Sequence, residues 1–535
     1  MNKYIRLFNT IKYLKFTQIY YRIFYFVRNR FRKIIKVKYE FTKDSNSTHL
    51  KLTDSCEYYS TYKDGKFTML NLSKKFNGKI DWNFSEYGKL WTYNITYFEY
   101  LKEKEDVNLI YDFIENISSV KDGLQPFPIS LRGLNWIKFL TKNEIKDKKI
   151  DDSLYAQYYI LLDNLEYHLL GNHLLENGFS LLFGAYYFKD KILYKKAEEI
   201  LVKELDEQIL DDGGHFELSP MYHQLMLFRV LDCINLVIGN SLLVISENEQ
   251  QKLKELLISK AQVMLRWLNH ISYENGDIPL LNDSANKIAP TTDELNEYAK
   301  RLQINQSQIT NHQLQNSGYR KVKKENYECI LDIGEVGASY IPGHAHADTF
   351  NFELHIKSPI TMQSRRNEDN HQSPFIVDTG LSTYNTGKQR EHERSTKAHN
   401  TVEINETNSS EVWAGFRVAN RASIVELVEN IDHIKATHDG YKKKFNILHT
   451  REWKFEDDKI VIKDSLNKEC GAIARLHFNP SITIEQIEKL LHINTNFRVK
   501  SYNFVQEFNK IKNAIYIEID FTKELTIEIE IKGNE

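Results

Sequence analysis

Cysteine is scarce and scattered: Cys56, Cys233, Cys329 and Cys470 are the four in 535 residues. No two stand at the short spacing of a zinc knuckle or a disulfide framework, so they read as buried reduced thiols. No apolar run approaches the roughly 20 residues a membrane-spanning helix needs, and no segment repeats another residue for residue. A large net charge is missing too. The formal value is −2, which excludes a globally basic nucleic-acid binder. That balance hides an asymmetry, because residues 1 to 38 hold eleven Lys and Arg and no Asp or Glu. The rest of the chain carries 60 basic and 73 acidic groups, a net of −13. Arg22, Arg28 and Arg30 interrupt every stretch near the start that could serve as the apolar segment of a secretory signal. The expectation is a cytoplasmic protein, with the basic aromatic segment either packed on the main body or lying on the inner membrane face.

What is present is the composition of a soluble globular protein, 41% hydrophobic and 27% charged, in a chain long enough for two or more domains. Tyr (31) and Phe (29) are abundant. Aromatic planes suit the C–H faces of sugars and serve equally as core material. Residues 1–43 read as an amphipathic helical arm and 44–80 as a connecting segment. From Asp81 the period is helical, with segments near 105–118, 130–142, 152–170, 173–188, 191–209, 220–240 and 247–270. Short joints between consecutive helices imply antiparallel pairs around a cleft, so 81–320 reads as an (α/α) toroid. Near residue 320 the period changes to two. Tyr327 to Ile333, His346 to Ile356, Ala422 to Val428, Ile460 to Asp464, Ile515 to Phe521 and Leu525 to Ile531 read as strands of an antiparallel β-sandwich over 321–535. A hydrophilic loop, 357–374, interrupts it. The fold class is therefore α+β multidomain, an incomplete toroid followed by a sandwich.

The stretch Gly343-His344-Ala345-His346-Ala347-Asp348-Thr349-Phe350-Asn351-Phe352 puts ionisable side chains at every second position. As a strand it would direct His344, His346 and Asp348 to one face. His346, Asp378 and His399 together have the composition of a zinc site, two imidazoles and a carboxylate with room for water, and equally that of a buried hydrogen-bonded cluster. In the helical half, Leu170 to Gly178 reads as a cap and turn, and Ser219 and Pro220 would cap and open a helix carrying Tyr222.

GHAHADTFNFEL, VDTG, STYNTG, RSTKAHNTV and EVWAGFR, in this order, strongly resemble the heparinase II/III-like polysaccharide lyases. NHLLENG and DGGHFELSPMYH resemble the matching helical half, as do PFPISLRGLNWIKF and NGDIPLLND. The resemblance implies a toroid and sandwich with the active site between them, and β-elimination of a uronic-acid-containing polysaccharide. Carried over by motif, Asn172 or His173 resembles the group that neutralises the uronate carboxyl, Tyr222 the acid/base tyrosine and His344 the catalytic histidine. His346, Asp378 and His399 look like the metal set of some members, implying one structural Zn2+. Glu217, Arg132, Tyr384, Arg394 and Arg417 are the motif-borne candidates for substrate contact. The long loop and the missing signal depart from secreted degradative members and suit a polysaccharide biosynthesis system. The partner implied is an acidic polysaccharide, not nucleic acid. Two rivals stand beside this reading: a non-catalytic glycan-binding or assembly protein, and a hydrolase built on Glu217 and Asp348, which would need two carboxylates flanking the bond.

Overall fold

The computed structural model describes residues 3–305, 314–357 and 372–531. Two helices, α1 (Lys3–Ile11) and α2 (Phe16–Ile34), form the arm, and a small antiparallel sheet (Thr61–Lys63, Lys66–Met69, Leu72–Lys75) follows. The helical half runs α3 (Lys89–Tyr97), α4 (Val107–Asn116), α5 (Pro126–Lys142), α6 (Lys148–Asp163), α7 (Gly171–Phe188), α8 (Lys191–Gln208), α9 (Pro220–Gly239), α10 (Glu247–Ile271) and α11 (Thr292–Arg301). Their starts follow from local chemistry. Asp147, Asp190, Ser219, Ser246 and Thr291 each accept a hydrogen bond from a backbone N–H of the first turn, satisfying donors the helix leaves open. The α7 helix is buried along nearly its whole length and packs on α5, α8 and α9. A helix buried on all sides belongs at the centre of the layer, and its buried Glu176 and Asn177 are paired, with Arg229 and Glu166 respectively.

Among the described residues the second half has three antiparallel sheets of four or more strands and a short two-stranded one, Val412–Trp413 with Arg417–Val418. The largest has the strand order Ile424–Asn430, His433–His438, His449–Phe455, Lys459–Leu466, Glu524–Glu530, Leu491–Ile493. A second joins Phe497–Glu507, Lys510–Phe521, Ala472–His477 and Val402–Ile404. The third joins Tyr319–Lys323, Tyr327–Asp332, Phe352–Lys357 and Gln372–Ile376. Their inner faces share one core. Ile460 and Ile462, Ile517 and Ile519, and Phe352 and Leu354 meet there, each pair two residues apart as strand pleating requires.

One strand boundary differs from expectation in a way that matters for the site. His346 to Asp348 are not strand; Pro342–His344 form a 3-10 turn and the strand begins at Phe352. Phe350 sits at φ +72°, and the N–H of Asn351 turns back to the carbonyl of Asp348 at 2.7 Å. The Phe350 carbonyl accepts from Arg451, itself paired with buried Asp464 in the large sheet. Tertiary hydrogen bonding thus holds a bulky residue in the left-handed region that local preference disfavours. The side chains of 344, 346 and 348 therefore do not share a strand face: His344 and His346 both reach Asp283, and His346 and Asp348 approach His399. Of the hydrophilic loop, residues 358–371 lie outside the described residues.

Candidate active site

The helical wall begins with two residues at positive φ, Leu170 (+62°) and Gly171 (+59°), immediately before α7 proceeds. Gly171 is required there: a Cβ would fall 2.8 Å from Ile341 Cδ1 and 3.0 Å from Glu217 Oε1. This close approach lets the Asn172 N–H donate to Glu217 Oε1 at 3.1 Å. The Asn172 side chain is buried, and its Oδ1 has no hydrogen-bond partner among the described residues. His173 is half-buried, with Nδ1 3.1 Å from Glu166 Oε1 and its ring 4.8 Å from that of Phe127. Burial disfavours its charged form, but Glu166 outweighs burial and the pKa is raised.

Tyr222 occupies the first turn of α9, where Pro220 opens the helix and Ser219 caps it. The Ser219 hydroxyl accepts from the Tyr222 N–H and donates to the Asp283 carbonyl at 2.7 Å, so one residue fixes Tyr222 and Asp283 relative to each other. The Tyr222 ring stacks on the His344 imidazole, centroids 3.9 Å apart and planes 30° from parallel. Its hydroxyl lies 3.2 Å from that of Tyr384. Burial, with the nearby carboxylates of Asp283 and Glu217, raises the Tyr222 pKa, keeping the phenol protonated at neutral pH.

At the centre stands Asp283, fully buried. Its Oδ2 lies 2.8 Å from His344 Nδ1 and its Oδ1 2.8 Å from His346 Nε2. The Arg390 guanidinium also closes on it as a two-pronged pair. Burial alone would raise the Asp283 pKa. The guanidinium and both imidazoles reverse this, holding it well below the usual carboxylate range. An ionised Asp283 accepts from His344 Nδ1–H and leaves Nε2 as the basic nitrogen, 3.4 Å from Glu217 Oε2. Burial raises the Glu217 pKa, opposed by His344 and the Asn172 N–H.

Behind His344 lies a donor set suited to a metal. His346 Nδ1, Asp348 Oδ2 and His399 Nε2 are each buried without a hydrogen-bond partner among the described residues. One ligand atom from each of the three residues lies within 4.8 Å of those of the other two. Asp378 does not face this centre in the way expected. Its Oδ2 accepts from His399 Nδ1 at 2.7 Å and from Asn351 at 2.6 Å, and its Oδ1 accepts from the Gly380 N–H. The carboxylate beside the two imidazoles is Asp348, while Asp378 and Asp283 orient the far nitrogens of His399 and His346. Two imidazoles and one carboxylate, each imidazole backed by a second acid, fit a divalent metal such as zinc.

Two of the substrate-contact candidates are enclosed by backbone and side chains. Arg132 is fully buried among helices, bonded to Gln157, the Thr96 carbonyl and the Gly123 carbonyl. Arg394 is also buried, donating to the carbonyls of Ala345, Pro342 and Arg417, which fixes the turn that carries His344. Neither guanidinium reaches a surface. Arg417 is exposed, 4.8 Å from the Trp413 ring centroid. Glu217 and Tyr384 do line the space around His344. Sequence reading assigned no role to Asp283 or Arg390. Asp283 ends NGDIPLLND, an acid abruptly following an apolar run, which was the available signal; nothing local marks Arg390.

The sequence matches two family models, Heparinase II/III N-terminus over residues 138–308 and Heparinase II/III-like, C-terminal over residues 310–535. Among solved structures, one titled Crystal Structure of Heparinase III aligns over 97% of this chain and 92% of its own, at 14% identity and TM-score 0.62. Another titled heparinase III aligns over 86% and 82%, at 14% identity and TM-score 0.58. Heparan sulfate lyase HepC from Pedobacter heparinus aligns over 86% and 80%, at 14% identity and TM-score 0.50. These likenesses establish the shared toroid-and-sheet fold. No curated protein matches the sequence.

Proposed function

Because the chain belongs to the heparinase II/III family, whose two models together span most of its length, we propose that it is a lyase cleaving a uronic-acid-containing acidic polysaccharide by β-elimination. The observation that carries this reading is the ring-to-ring contact of Tyr222 and His344, one a protonated phenol and the other an imidazole whose Nδ1 is held by Asp283. A base removes the C5 proton, its electron pair forms the C4–C5 double bond, and the C4–O4 bond breaks as O4 takes a proton. With Nδ1 held by Asp283, His344 Nε2 is the base and the Tyr222 O–H the donor to O4. The C5 proton is acidic enough only when the neighbouring carboxylate is neutralised, since charge builds on its oxygens in the transition state. The Asn172 amide and His173, whose pKa Glu166 raises against burial, are the donors at hand for that task. Tyr384 orients the Tyr222 hydroxyl. A divalent metal, when bound by His346, Asp348 and His399, would supply a fixed positive charge that rigidifies the turn carrying His344. The biological setting proposed is a surface or capsular polysaccharide assembly system.

The test is incubation with a panel of uronate-containing polymers while following the ultraviolet absorbance of the unsaturated product. Turnover abolished in Tyr222→Phe and His344→Ala supports the reading. Glycan binding without turnover, unchanged in both variants, overturns it in favour of a binding protein.

A further inference from the structure

The arm is docked with its faces reversed. An amphipathic helix on a protein body ordinarily buries its apolar stripe and leaves polar groups in water. In α2 the inward positions are Gln18, Tyr21, Tyr25, Arg28 and Arg32, which recur at three- and four-residue intervals and attach chiefly by polar groups. Gln18 donates to the carbonyls of Leu169 and Tyr340, and the Tyr25 hydroxyl donates to the carbonyl of Leu165. Arg28 and Arg32 hold Asp163 and Asn164, and Tyr21 stacks on Tyr167 at 4.7 Å. The opposite face carries Phe16, Ile19, Ile23, Phe26, Val27 and Ile34, all exposed, with Phe16 at 80% and Ile34 at 76%. The α1 helix continues the pattern, exposing Tyr4 and Phe8 while Asn9 is buried and Arg6 pairs with Glu411. Folding thus spends the arm's hydrogen-bonding groups on the body and leaves a stripe about 28 Å long facing outward. Contiguous apolar surface of this extent marks an interaction site.

Charge identifies the occupant. No acid lies between residues 1 and 38. Four of the arm's cations pair with carboxylates of the body, at Glu411, Glu207 and Asp163. Among the described residues, Lys12, Arg30, Lys33, Lys36 and Lys38 have no carboxylate within ion-pair distance, and all five are exposed. Apolar residues flanked by unpaired cations match a surface that offers hydrocarbon beneath a layer of negative headgroups. A second copy would set this cationic face against itself with no acid of the arm to offset it. We propose that α1 and α2 form a peripheral membrane anchor that lies on an anionic bilayer surface through the outward face of the arm. Since Gln18 bonds the carbonyl of Leu169 in the helical half and that of Tyr340 in the second half, the anchor is rooted on both sides of the candidate site. The enzyme is thereby carried to polymer at the membrane.

The experiment is co-sedimentation of the full chain with vesicles of phosphatidylcholine alone and of phosphatidylcholine mixed with phosphatidylglycerol. Two double variants are compared, Ile23→Glu with Phe26→Glu and Arg30→Glu with Lys33→Glu; all four side chains are exposed, so the fold is retained. The expected result is sedimentation with anionic vesicles only, weakened by salt and reduced by roughly tenfold or more in each variant. A wild-type chain that stays in the supernatant with anionic vesicles at low salt overturns the proposal, as does sedimentation undiminished by both variants. A concentration-dependent dimer that the Ile23→Glu, Phe26→Glu variant abolishes, with no vesicle binding, overturns it in favour of a second copy.

Discussion

The Tyr222 ring stacks on the His344 imidazole, 3.9 Å between centroids, although the two stand 122 positions apart in the chain. The contact joins the first turn of a helix to a 3-10 turn before a strand, and each partner has its own tether: Tyr222 to Tyr384, His344 to Asp283. Tyr222→Phe keeps the stacked ring and removes only the hydroxyl. Loss of a positioned proton donor costs roughly 100- to 10,000-fold in rate. The expected outcome is that loss in kcat, read from ultraviolet product formation, with a melting temperature close to wild type.

The Asp283 side chain supports three neighbours at once, and its removal should be felt as stability. Asp283→Asn leaves the Arg390 guanidinium buried without its counter-charge and weakens the bonds to His344 and His346. Breaking a buried charge pair by removing one partner costs roughly 3–5 kcal/mol. A urea titration of the variant should show a midpoint lowered accordingly; a midpoint equal to wild type would contradict the charge assignment.

The metal-type cluster separates ligands from supporting acids. Metal content measured by atomic emission after dialysis against zinc should approach one ion per chain in wild type and in His344→Ala. Asp348→Asn and His399→Ala should abolish it. Asp378→Asn, which removes only the acceptor of His399 Nδ1, should weaken zinc affinity by about 10- to 100-fold. Chelation should lower the melting temperature of wild type and leave that of His399→Ala unmoved.

Glu217 predicts a pH dependence of stability with a definite sign. Its pKa is raised above 4.5 in the folded protein, chiefly by burial, so the native state holds this proton more tightly than the unfolded chain. Its contribution is therefore greatest below the unfolded value and is lost as pH rises through the folded one. Glu217→Gln keeps an oxygen for the Asn172 N–H and does not titrate. The variant should gain stability relative to wild type as pH rises from about 4, and the gain should level off once Glu217 has ionised. Urea midpoints across that range test the trend.

A methyl group added at Gly171 tests how tightly the two walls approach. Gly171→Ala forces a side chain into the left-handed region and within 2.8 Å of Ile341, so it should destabilise by at least about 1–2 kcal/mol. It should also disturb the Asn172 to Glu217 bond, appearing as a loss of kcat larger than the loss of stability implies.

Much of the fold was legible because it is written locally. Side-chain period distinguished helix from strand, and Ser219 with Pro220 marked the start of α9 to the residue. Ordered motifs brought Asn172, His173, Tyr222 and His344 forward as a group. Local pattern failed where long-range bonds overruled it. Period two predicted a strand through His346 and Asp348, but Arg451, about a hundred residues away, holds the Phe350 carbonyl in a turn. Arg132 and Arg394 were plausible as surface cations until burial among backbone carbonyls gave them structural work. Asp283 and Arg390 could not be paired from sequence, because a charge pair formed across 107 residues has no local signature.

By itself the sequence determined the two-part architecture, the residue types of the candidate site and the charge of the arm, since these depend on period, composition and order along the chain. Tertiary structure decided which acid serves which imidazole: Asp283 for His344 and His346, Asp378 for the far side of His399, and Asp348 for the space between His346 and His399. It also decided the direction in which the arm faces. Amphipathicity fixes that a helix has two faces; which one meets the body depends on the partners waiting there, and the carbonyls of Leu165, Leu169 and Tyr340 with the carboxylate of Asp163 selected the polar one.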